Sequence, residues 1–86
     1  MTLHNKKINT KYYDAVLNGA KPFEIRKEDD CTYAVGDTIE LVEIHEPSMH
    51  RRVRGMEVVV TYKLTHEDFP DGIQPGYCVL GIRPTQ

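Results

Sequence analysis

The chain has 86 residues, 40% of them hydrophobic and 28% charged, a composition that fits one folded domain and excludes wholesale disorder. Eleven Lys and Arg against thirteen Asp and Glu give a net charge of −2, which excludes a nucleic-acid binder working by bulk positive charge but leaves room for a local basic patch. A domain this small cannot enclose a deep active site and still keep a core, so a site is expected in a surface groove or a shallow barrel mouth.

The opening residues, Met1 to Lys7, lack the apolar stretch of a signal peptide. No apolar run reaches the ~20 residues of a membrane span. Thr2 to Ile8 reads as a short, rather polar strand. A helix is expected near Thr10 to Asn18, with Thr10 as N-cap and Tyr13, Val16, Leu17 and Ala20 forming one apolar stripe at i, i+3, i+4 and i+7. Asn18-Gly19 ends it, since Gly takes the left-handed conformation without steric cost.

The rest of the chain reads as β-structure. Lys21 to Arg26 alternates, with Phe23 and Ile25 expected inward and Glu24 and Arg26 outward. A charged loop, Lys27 to Asp30, and the turn Val35-Gly36-Asp37 lead to a strand over Thr38 to His45. There the apolar phase slips between Leu41 and Val42, which suggests a bulge or burial on both faces. Pro47 to Arg52 is a polar loop. Gly55 to Thr65 places Met56, Val58, Val60, Tyr62 and Leu64 on one face, and Glu67 to Pro75 is rich in turn signals. A last strand, Tyr77 to Arg83, points Cys78, Leu80 and Ile82 inward. Together these elements describe a single α+β domain over residues 1–86, a small, partly closed β-barrel of about five to six strands with one N-terminal helix; closure hides edges that an open sheet would expose. Cys31 and Cys78, far apart and outside any CxxC spacing, read as reduced thiols of a cytoplasmic protein.

Metal and nucleophile patterns do not assemble. His66-Glu67 begins like a zinc-protease motif, but Pro70 stands where the second His is needed. His45 and His50 have no nearby Cys partner, no Gly-rich phosphate loop occurs, and the lone Ser48 sits beside Pro47 in a loop. Neither a metal nor a cofactor is expected. Two features remain. Gly19-Ala20-Lys21-Pro22-Phe23-Glu24-Ile25-Arg26 sets cation, anion and cation on a short strand directly after a helix end, either as a solvated face or as a site. His50-Arg51-Arg52-Val53-Arg54 is a local basic cluster, either a solvated hairpin loop or a set of phosphate contacts through Arg51, Arg52 and Arg54.

Gly19, Lys21, Glu24 and Arg26 resemble the G-x-K-x-x-E-x-R signature of the ASCH domain, the activating-signal-cointegrator homology family of PUA-like barrels. His4 with Lys7-Ile8, Tyr12 to Val16, Tyr33 to Asp37 and Gly76 to Leu80 extend the resemblance to a small bacterial and phage subgroup, from about His4 to Ile82. Lys6 departs from the leucine usual there, and Met49 to Gly55 echoes the subgroup only loosely. The resemblance implies a PUA-like barrel whose cleft is lined by Lys21, Glu24 and Arg26, and a role in RNA binding or RNA-linked regulation of transcription or translation. The mixed signs suit base-edge recognition of single-stranded or modified bases, with Glu24 accepting from base amines and Lys21 and Arg26 meeting phosphate or carbonyl oxygens. Tyr77, and after it Tyr33, are the aromatic candidates for stacking.

Two other classes stand beside this RNA- or nucleotide-binding reading. Some similarly small members of the superfamily are amidohydrolases acting on acetylated cytidine. This chain matches them at Gly19, Lys21 and Arg26 but carries Glu24 where they have Thr, so catalysis would fall to Lys21 and Glu24, with Glu24 as a base for water. A protein-interaction module without a nucleic-acid ligand is the third. No membrane partner is expected, and the sequence leaves the oligomeric state open.

Overall fold

The computed structural model describes residues 1–44 and 54–85. It contains β1 (Leu3–Asn9), α1 (Thr10–Leu17), β2 (Phe23–Lys27), β3 (Thr38–Ile44), β4 (Gly55–Thr65) and β5 (Tyr77–Pro84). The five strands form one sheet in the order β1-β3-β4-β5-β2, curled into a half-barrel. β1 runs parallel to β3, and the other neighbours are antiparallel. The small α+β barrel-like architecture therefore follows the sequence pattern.

The concave side holds the core. Ile8, Ile39, Leu41, Val58, Val60, Cys78, Leu80 and Ile82 meet Tyr13 and Val16 from α1 and Tyr33 from the β2–β3 connection. The helix packs against β1, β3 and β5. Its N-cap lies one residue earlier than expected. Asn9 occupies the N-cap without a side-chain bond, whereas Thr10 is already helical and donates its hydroxyl to the Ile44 carbonyl at 3.4 Å. Only Tyr13 and Val16 of the apolar stripe are buried; Leu17 and Ala20 lie exposed near the helix end. The chain leaves α1 through Gly19, whose φ of +85° is open to glycine without strain, and the Lys21 amide closes the exit on the Ala15 carbonyl at 3.0 Å.

Three strands correct the simple alternation. β2 keeps the period of two but turns the opposite face inward: Glu24 is 4% exposed, while Phe23 and Ile25 are 41% and 60% exposed. β3 has neither a bulge nor a phase slip in its pairing; Ile39, Leu41 and Glu43 are all fully buried, so a carboxylate occupies the place an apolar residue was expected to take. In β4 the register shifts between Val60 and Tyr62. Val58 and Val60 point in as expected, but the bulge rotates Tyr62 and Leu64 out and brings Lys63 to the half-buried side. Lys63 then donates to Glu28 Oε2 at 2.8 Å and to the Tyr33 carbonyl at 2.7 Å.

Polar groups pin the sheet at two further points. His4 and Asp37, both buried, meet at 2.9 Å, and Asp37 also accepts from the Thr2 and Ala34 amides. Arg54 spreads its guanidinium over the buried Glu43 at 2.9–3.0 Å and Asp14 at 2.7 Å, with the Tyr13 ring 4.6 Å away. The two cysteines are free thiols. Among the described residues no helix is long and apolar enough to cross a membrane.

Candidate functional site

The strands at the two ends of the sheet order, β1 and β2, face each other across the open seam of the half-barrel. Side chains bridge it: Arg26 Nη2 donates to the Lys7 carbonyl at 3.2 Å, and Lys6 Nζ reaches Asp30 at 3.2 Å. A groove of about 320 Å³ runs along this seam, lined by Lys7, Ile8 and Asn9 of β1, Tyr12 of α1, and Lys21, Phe23, Glu24, Ile25 and Arg26 of the β2 arm, with Ile44 at one end.

The signature residues meet at the groove floor. Glu24 projects inward from β2, and its two oxygens are held separately. Lys21 Nζ donates to Oε1, while Arg26 donates to Oε2 from Nε at 3.0 Å and from Nη2 at 2.8 Å. The carboxylate is buried; the side chains of Lys21 and Arg26 remain 19% and 21% exposed. Burying a charge is tolerable when it is paired and hydrogen-bonded, and here the Lys21 and Arg26 side chains are the donors, placed by the local backbone. Alternation puts residue 26 beside residue 24, and the left-handed Gly19 swings Lys21 over the strand entrance. The triad carries one net positive charge, fixed in place by the buried anion.

Two rings flank the ammonium. Its nitrogen lies 5.4 Å from the Tyr12 centroid and 5.2 Å from that of Phe23, within cation–π range. Tyr12 is 42% exposed and offers a stacking surface at the rim. Neither ring was among the aromatic candidates in the sequence. A signal for Tyr12 existed, since it lies next to the buried Tyr13 on a helix and must therefore turn toward a different side. Phe23 was hidden by the assumption that an apolar residue of β2 faces the core.

The structure brings Lys21, Glu24 and Arg26 together and places the other described candidates, Tyr77, Tyr33 and Arg54, elsewhere. Tyr77 lines a separate hollow with Ile25, Val79 and Gly72 to Gln74. Tyr33 is 2% exposed beneath His4, their ring centroids 4.6 Å apart, and burial, followed by a bond with Cys31, pushes its phenol above the ordinary pKa. Arg54 is engaged by Glu43 and Asp14 as described, and these partners raise its pKa further. Arg51 and Arg52 lie outside the described residues. Among the described residues no cluster of three or more His, Cys, Asp or Glu side chains is arranged to hold a metal ion.

Fold and groove together define a small α+β half-barrel with a cation-rich groove at its seam. The chain belongs to the family described as "Domain of unknown function (DUF3850)", which matches residues 3–82. Its fold is similar to that of the solved structure titled "Crystal structure of hypothetical protein PH0355", with a TM-score of 0.63 and 14% identity over 98% of this chain and 99% of that one. At that identity the likeness is one of fold. No curated protein matches the chain.

Proposed function

We propose that this domain is an ASCH-type, PUA-like module that binds single-stranded RNA or a nucleotide in the seam groove. The observation that carries this reading is the Lys21–Glu24–Arg26 triad, a buried carboxylate that holds two partly exposed cations in the floor of a groove. Glu24 is spent on its neighbours, so its role shifts from contacting base amines to orienting donors. The protons of Lys21 and Arg26 taken neither by Glu24 nor by the Lys7 carbonyl are left for phosphate or carbonyl oxygens. Tyr12 supplies a face for a base, and stacking on one aromatic ring contributes about 1–3 kcal/mol in single-strand binders. A base laid on Tyr12 would put its attached phosphate near Lys21, which already sits against that ring.

The amidohydrolase reading rests on the direct Lys21–Glu24 contact, a pair able to move a proton. Against it, both Glu24 oxygens already accept from cations, which leaves little room for a water to be activated. One screen separates the two: the purified domain against short RNAs and modified nucleosides, reading thermal shift and reaction products together. Binding without turnover, weakened in Lys21→Gln and Tyr12→Ala, supports the module. Release of acetate from an acetylated cytidine, abolished by Glu24→Gln, would replace it with the hydrolase. No retention of any RNA or nucleoside would remove both.

A further inference from the structure

The convex side of the β4–β5–β2 part of the sheet carries exposed apolar side chains outside the core: Tyr62 and Leu64 lie away from the seam groove, and Phe23 and Ile25 run from its lip onto this face. Cross-strand register sets Phe23, Gly81 and Tyr62 in one row and Ile25, Val79 and Leu64 in the next. Phe23, Ile25, Tyr62 and Leu64 are 41%, 60%, 64% and 36% exposed. Such a face costs solubility, yet two local features create it. Had the period of Val58 and Val60 continued, Tyr62 and Leu64 would point inward; the bulge turns them out. Gly81 leaves space for the bulged segment itself, because a Cβ there would lie 2.9 Å from Thr61 Oγ1 and 3.3 Å from Tyr62 Cβ.

Beside this ridge lies the hollow of about 320 Å³ formed by Ile25, Tyr77, Val79 and the Gly72–Gln74 loop. Knob and hollow thus occupy one surface, offset by a single row along the strands. A two-fold interface requires this, since each copy must offer both halves of the same contact. We infer that this face is the interface of a symmetric homodimer, in which Tyr62 of one protomer seats in the hollow of its partner.

The areas agree. At ~200 Å² for a fully exposed side chain of this size, the four exposed fractions leave roughly 400 Å² of apolar surface. A stable interface covers ~800 Å² per partner, about 60% of it apolar. The half-buried Tyr77 and Val79 supply much of the remainder. The chemistry also selects a second copy over a nucleic acid. Neither central row carries an ionised side chain, and Lys27, opposite Tyr77, stands at the margin. A phosphate backbone needs cations along its path; an interface core excludes them.

Sedimentation velocity and light scattering on the full chain test this without reference to any groove ligand. The wild-type chain should form a dimer with a Kd in the micromolar range. Tyr62→Asp, at an exposed position, should weaken it about tenfold or more with an unchanged circular-dichroism spectrum, and Ile25→Asp should do the same from the rim of the hollow. A wild-type chain that stays monomeric to millimolar concentration overturns the proposal. So does a dimer that survives both substitutions. A monomer whose RNA affinity drops in Tyr62→Ala would also overturn it, and would make the face a stacking platform.

Discussion

Phe23 and Glu24 are consecutive residues, and the charged one is inside. The Phe23 ring is 41% exposed against 4% for Glu24, and this inversion decides where stability resides on β2. Emptying a core Phe to Ala costs ~3–5 kcal/mol; Phe23→Ala should cost about 1 kcal/mol or less, as surface changes do. Glu24→Ala removes the anion from between Lys21 and Arg26, and losing one member of a buried ionic cluster costs about 3 kcal/mol. Urea melts of the two variants should rank them in that order. The reverse order would return Phe23 to the core.

Why this was illegible is a matter of what alternation can say. Period two identifies β2 as a strand and pairs its residues by face, and both inferences hold. Which face is buried depends on whether a partner group compensates the charge, and the partners of Glu24 come from the helix exit and from the strand itself. Glu43 repeats the lesson on β3, where the apparent phase slip is a buried carboxylate gripped by Arg54 from the connection that follows. In contrast, β5 was fully legible, because Cys78, Leu80 and Ile82 need no compensation. The candidate triad was legible as a motif, but its geometry, with Glu24 beneath the cations, was not. Tyr12 and the Lys7 carbonyl entered only when the fold brought β1 and β2 to one seam.

Acid sensitivity should concentrate at Asp37. A hydrogen bond from His4 holds its carboxyl below the ordinary value; burial opposes this, and the Thr2 and Ala34 amides reinforce it. The folded pKa is thus lower than the unfolded one, so the stabilisation is complete above the unfolded value of ~3.9 and is lost as pH falls through the folded pKa. Glu28 acts in the same direction: burial raises its carboxyl, and the bonds from Lys63 and the Tyr33 amide outweigh that effect. Urea midpoints taken between about pH 5 and 2 should fall steeply for the wild-type chain and less so for Asp37→Asn. Equal slopes would show that Asp37 does not set the acid limb.

The two thiols should react unequally. Cys78 is fully buried, and burial first, with the Glu28 charge behind it, pushes its thiol up, which lowers the population of reactive thiolate. Cys31 is only partly buried. Iodoacetamide followed by mass spectrometry should give a single adduct on Cys31 in the native chain and a second on Cys78 only in denaturant. Native labelling of Cys78 would mean that β5 opens locally.

If RNA binds, its salt dependence should separate Arg54 from Arg51 and Arg52. Each cation withdrawn from a single-strand phosphate reduces the slope of log K against log salt by ~0.7. Replacing Arg51 and Arg52 by Ala should flatten the slope with the melting temperature unchanged. Arg54→Ala should lower the melting temperature, because it releases Glu43 and Asp14, and change the slope little. An unaltered slope in the Arg51, Arg52 variant would make those side chains solvated bystanders.

The strand order also governs how the chain can reach this structure. Both margins of the sheet come from the first third of the sequence, yet among the described residues β1 pairs only with β3, Leu3 meeting Thr38, and β2 only with β5, Phe23 meeting Gly81. On a ribosome, the early segment would therefore wait for nearly the whole chain before its last hydrogen-bonding partner emerged. Refolding should be slow for so short a protein, since distant pairings demand loop closure before they repay it. Its rate should respond more to changes in β5, which joins β4 to β2, than to changes in α1, and a chain truncated before Tyr77 should leave β2 without a neighbour.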